Sequence, residues 1–66
     1  MENKELLLTL ANRLKALRKQ KNVTQEEVFN DTGIHVARIE QGKRDISYTT
    51  LLRLAEYFNT DLNAFK

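Results

Sequence analysis

The strongest chemistry in this 66-residue chain is cationic: Arg13, Lys15, Arg18, Lys19, Lys21, Arg38, Lys43 and Arg44 occupy its middle, while Glu2, Glu5, Glu56 and Asp61 stand towards its ends. Eleven basic residues against nine acidic ones leave a net charge of only +2, so attraction for a polyanion has to come from clustering and not from bulk charge. On charge alone, a solvated polar face explains the same residues equally well. His35 is the only histidine and there is no cysteine, so the residue types that complete a zinc site are missing and no metal is expected. Glu26 and Glu27 are adjacent carboxylates that serve the start of a helix. No nucleophile beside a base and no phosphate-cradling glycine loop accompanies them, so neither catalysis, a cofactor nor a small-molecule substrate is expected.

The elements that position these groups read as helices throughout. Leu7, Leu10, Leu14 and Leu17 recur at steps of three and four, which predicts an amphipathic helix from about Lys4 to Lys21. Thr24 with Glu27 forms a capping box that starts a second helix at Gln25, with Val28 and Phe29 as its inward face and an end near Asp31 or Thr32. Gly33 supplies the turn. Val36 and Ile39, followed by Gly42 at a left-handed C-cap position, predict a third helix over His35 to Gln41. Ser47 caps a fourth helix carrying Leu51, Leu54, Ala55 and Phe58, with Asn59 as its stop, and Asp61 caps a fifth bearing Leu62 and Phe65. Leu10, Leu14, Leu17, Val28, Ile39, Leu51, Leu54 and Phe58 form the expected core; Leu6, Leu7 and Leu8 exceed what one helix face can hide. There is no linker composition, so residues 1–66 read as a single all-α, compact five-helix domain. No long apolar run or signal-peptide pattern appears, which with the lack of cysteine makes a soluble cytoplasmic setting the expectation.

Two short helices joined by a glycine turn match the helix-turn-helix unit that places its second helix in the major groove. Arg13-Leu14 and Leu17-Arg18, Val23-Thr24-Gln25-Glu26-Glu27-Val28, Ile39-Glu40-Gln41-Gly42-Lys43-Arg44, Ser47 to Leu54 and Asp61-Leu62 together resemble the phage-repressor, Cro and XRE-type helix-turn-helix family over about Arg13 to Phe65. The recognition region departs from the family pattern by a gap between His35 and Val36 of about three residues, or ~4.5 Å of helix. That gap falls where the family makes much of its base contact.

The resemblance implies double-stranded DNA as partner and a repressor-like fold. Gln25, at a helix start whose N–H groups favour anions, is expected on a phosphate, as its counterpart in the family is. Lys43 and Arg44 are expected to meet the backbone, which positions without specifying. Arg38, opposite Val36 and Ile39, has three readings: a two-bonded contact to guanine O6 and N7, a phosphate contact, or an unengaged surface arginine. His35 reads as a helix cap or a groove-edge contact, and Val36, Ala37 and Gln41 complete the expected DNA-contacting set. The resemblance also implies a structural ion pair between Arg18 and Glu40. Leu62 and Phe65 are expected at a homodimer interface, since one short helix reads few bases. Sequence-specific DNA binding by a small transcriptional regulator is the resulting expectation. A protein-interaction module or antitoxin-like partner with weak or lost DNA binding is the alternative.

Overall fold

A computed structural model describes residues 3–66; Met1 and Glu2 lie outside the described residues, and with them Glu2 of the expected acidic end. Four α-helices and a closing 3-10 turn follow in chain order: α1 (Asn3–Lys21), α2 (Gln25–Thr32), α3 (Val36–Ile39), α4 (Tyr48–Tyr57) and the turn Leu62–Phe65. The all-α expectation therefore holds. Two elements differ in detail. The fifth helix is a 3-10 turn, opened by the Asp61 carboxylate accepting from the Asn63 N–H at 2.9 Å. The third helix ends at Ile39, and Glu40 to Gly42 form a turn in place of its expected last residues.

Capping chemistry sets most of the boundaries. At the start of α2, the Thr24 hydroxyl accepts from the Glu27 N–H at 3.0 Å while the Glu27 carboxylate accepts from the Thr24 N–H at 2.8 Å. Both bonds satisfy donors that the helix cannot. Ser47 caps α4 by accepting from Thr50 N–H at 3.1 Å. At the other end of α1, Asn22 turns left-handed with φ of 62°, and the Val23 and Asn22 N–H groups reach back to the carbonyls of Arg18 and Lys19. This is a Schellman closure, and Asn59 repeats it after α4 with φ of 58°. Gly33 ends α2 at φ of 76°, its N–H donating to the Phe29 carbonyl at 2.7 Å.

Leu14, Val28, Val36 and Leu54 are fully buried, and Ile34, Ile39, Ala55, Phe58 and Phe65 close the core around them. Leu10, Leu17 and Leu51 pack against this cluster from its rim. All eight expected core positions thus lie in or on it. Phe29 does not: Val28 takes the inward position, and the next residue, rotated by ~100° on a 3.6-residue helix, is carried to the surface. α1 packs on α3 and on the closing turn, and the Arg13 Nε–H donates to the Lys66 carbonyl at 2.7 Å. α4 is tied to the end of α2 twice, by Arg53 donating to the Thr32 carbonyl and by the Tyr57 hydroxyl donating to Asp31 at 2.7 Å. The radius of gyration, 10.9 Å, is that of a close-packed body of this length, for which about 10.8 Å is expected.

Candidate nucleic-acid interface

The helix-turn-helix unit is α2, the turn at Gly33 to His35, and α3. Val36 and Ile39 anchor α3 in the core, which leaves Ala37 and Arg38 on its outer side, with His35 exposed before it and Gln41 after it. Val36 is 0% exposed, so its side chain belongs to the core and not to the expected DNA-contacting set. The reason is the same alternation that buries Ile39 three residues later.

One carboxylate fixes α3 in place. Glu40, at the C-terminal end of α3, is only 5% exposed and accepts three side-chain hydrogen bonds. Arg18 of α1 forks onto it, Nε to Oε2 at 2.8 Å and Nη2 to Oε1 at 2.9 Å. Two parallel N–H···O bonds between rigid planar groups fix direction as well as distance. Hydrogen bonding to Glu40, opposed by burial and aided by its charge, raises the Arg18 pKa further above its ordinary range. Gln25 Nε2 of α2 completes the set at 3.0 Å. A carboxylate only accepts, so the Gln25 amide must present its NH2 group there, which leaves its second N–H and its carbonyl oxygen for a partner outside. Gln25 is therefore engaged with Glu40, a role that its position at a helix start did not reveal.

Arg38, Lys43 and Arg44 are exposed, and among the described residues the only ion pair is that of Arg18 with Glu40. Their charge is thus uncommitted within the chain. His35 makes no side-chain capping bond. Its ring stacks on Phe29, with centroids 4.4 Å apart and planes 30° apart. The expected cap is replaced by an aromatic pair on the outside of the turn, because the Phe29 ring lies beside it. Phe65, expected at a dimer interface, is 7% exposed and belongs to the core; Leu62 is half-buried. Leu62 and Phe65 stand at the two ends of the 3-10 turn, three residues apart and so on one side of it, and the second sits deeper, within the core.

Among the described residues no cluster of three or more His, Asp or Glu side chains is arranged to hold a metal ion, and no helix is long and apolar enough to cross a membrane. Comparison with curated proteins and with solved structures gave no match. The family profile described as Helix-turn-helix matches residues 14–65. That span runs from the buried Leu14 of α1 through the Glu40 fork to the closing turn, and the chain belongs to the repressor, Cro and XRE-type helix-turn-helix family.

Proposed function

We propose that this chain binds double-stranded DNA in a sequence-dependent way and acts as a small transcriptional regulator, without catalysing a reaction. The supporting observation is the outer side of α3. Ala37, Arg38 and Gln41 are exposed there, Lys43 and Arg44 follow in the next loop, and the Glu40 fork holds the whole segment on α1 and α2. Lys43 and Arg44 meet phosphates, and Gln25 offers its remaining N–H to another. Arg38 reads a guanine, with Ala37 and Gln41 beside it at base edges. In this reading the protein acts as a homodimer and works in the cytoplasm.

The single turn of α3 supports a second reading, a protein-interaction module or antitoxin-like partner in which groove entry is too shallow to specify sequence. The test that separates the two is selection of bound fragments from random-sequence DNA, followed by affinity measurement as a function of salt. Enrichment of a defined site, with affinity falling steeply as salt releases from the phosphates are suppressed, is the expected result. Recovery of no preferred site together with salt-independent or absent binding overturns the DNA reading.

A further inference from the structure

A large aromatic side chain left partly in water forgoes burial energy. Phe29 is 40% exposed, although Val28 next to it and Val36 across the turn are fully buried. Its stack on His35, at 4.4 Å, restricts the ring while much of the side chain stays in water. Phe29 stands one helical turn beyond Gln25 and so shares its face of α2. That face is turned towards α3, since Gln25 bonds Glu40 at the end of α3. His35 immediately precedes α3, and its carbonyl accepts the Arg38 N–H at 3.2 Å. The partly exposed ring therefore adjoins the residues through which α3 meets DNA in the reading above.

We propose that Phe29 is a sequence-reading residue whose exposed ring packs on the C5-methyl group of a thymine, with His35 as the positioning residue that holds the ring. The inference rests on the DNA-binding reading. The major groove offers one apolar group among its hydrogen-bonding edges, the thymine methyl, and phenylalanine is one of the side chains that contact it. Arg38, whose N–H bonds the His35 carbonyl, puts an exposed cation one turn from the stacked histidine, which favours a polyanion as occupant over an apolar protein face. An α3 of four residues has few base-reading side chains of its own. Phe29, reaching from α2, specifies thymine where Arg38 specifies guanine.

Uracil lacks the methyl group and keeps every hydrogen-bonding edge of thymine, so it isolates this contact. In the site selected from random DNA, each thymine is replaced singly by uracil and the affinity of the full chain is measured. Loss of about fourfold is expected at one thymine in each half-site, the equivalent of ~0.8 kcal/mol for one buried carbon. Phe29→Ala, or Phe29→Leu should alanine unfold the chain, brings the ratio at that thymine to near one for alanine and to an intermediate value for leucine. His35→Phe, which keeps a stacking ring, preserves the ratio, and His35→Ala lowers it. Equal affinity for thymine and uracil throughout the wild-type panel overturns the proposal, as does a methyl-dependent position whose ratio is unchanged in the folded Phe29 variants. Either result leaves DNA reading intact as long as the selected site is still preferred over a scrambled one. Failure to select any site removes both.

Discussion

At the level of single residues, the chain separates groups that hold the interface from groups that meet a ligand. Arg18 and Glu40 belong to the first kind, with side chains 17% and 2% exposed. Removing one member of a buried pair leaves the other charged and unpaired, at a cost of about 3–5 kcal/mol. Arg18→Met should therefore lower stability by roughly that amount in urea titration, a large share of the ~5–15 kcal/mol typical of small domains. A loss below ~1 kcal/mol would mean that Gln25 alone satisfies the carboxylate. Lys43, Arg44 and Arg38, exposed and outside that pair, are of the second kind under the proposed function. Lys43→Ala and Arg44→Ala should each weaken DNA binding evenly across sequences and reduce the steepness of salt dependence by about one unit. Arg38→Ala should cost roughly 1–3 kcal/mol on the preferred site and relax one base position per half-site. An even loss on a panel of single-base variants assigns Arg38 to the backbone instead. The Arg18 and Glu40 contact was legible from the family pattern because both residues stand in well-matched motifs. The engagement of Gln25 by Glu40 was not, since nothing in a helix-start glutamine marks which of two acceptors its amide will face.

At the level of elements, the boundaries that could be read were those written in local chemistry. Thr24 with Glu27, Ser47, Asp61, Gly33 and Asn59 all do in the structure what their types suggest, whereas Gly42 takes the expected left-handed φ in the turn after α3 and not at its C-cap, which is Glu40. The length of α3 and the exposure of Phe29 were not readable, because both depend on how α2 and α3 cross. The glycines allow a sharp comparison. Gly33 and Gly42 share nearly the same φ, 76° and 77°, but a Cβ at Gly33 meets nothing within 4 Å whereas one at Gly42 comes to 2.8 Å from Leu8 Cδ2. Alanine at either position incurs about 1–2 kcal/mol of left-handed strain. Asparagine, which this chain already places left-handed at Asn22 and Asn59, relieves that strain. Gly33→Asn should then be milder than Gly33→Ala, and Gly42→Asn milder than Gly42→Ala with a small added cost for turning aside the half-exposed Leu8 tip; thermal unfolding of the four variants decides it. The tie between α4 and α2 has a pH signature. Tyr57 is pushed up to about 12, first by its hydrogen bond to Asp31, then by burial and the nearby carboxylate charges. A tyrosine raised above its unfolded value of about 10 stabilises fully below that pH and loses the contribution as pH climbs through its folded value. The stability difference between wild type and Tyr57→Phe should be constant up to pH ~10 and shrink above it. A constant difference through that range would show that the hydroxyl is not held by Asp31.

At the level of the whole molecule, one copy would make only a small reading head for the proposed DNA site. α3 is a single turn, and the exposed side chains on and beside it span only a few base pairs. Two-fold symmetry is the simplest way to double the site, with half-sites one helical turn, ~34–36 Å, or a multiple of it apart. The structure removes Phe65 from the expected interface by burying it and leaves Leu62 half-buried. Leu6 is 54% exposed, and it lies seven residues before Arg13 on the same face of α1. Arg13 in turn bonds the Lys66 carbonyl, which puts the face of Leu6 on the side of α1 that the chain terminus reaches. Leu62 belongs to the turn that packs on α1, so in the proposed dimer Leu6 and Leu62 are the apolar side chains a second copy is expected to cover. Each leucine buried there is worth about 1.5–3 kcal/mol, and symmetry counts every one twice. Leu6→Lys or Leu62→Lys should consequently raise the dimer dissociation constant by at least about a hundredfold, since each 1.4 kcal/mol is a factor of ten. Neither position is among the residues that hold α3, so intrinsic half-site preference should persist while affinity for the two-half-site duplex falls. Sedimentation at high micromolar concentration, free and on selected DNA, reads the outcome. A wild-type monomer under both conditions contradicts the assembly, and a dimer unaffected by either lysine places its interface on another face.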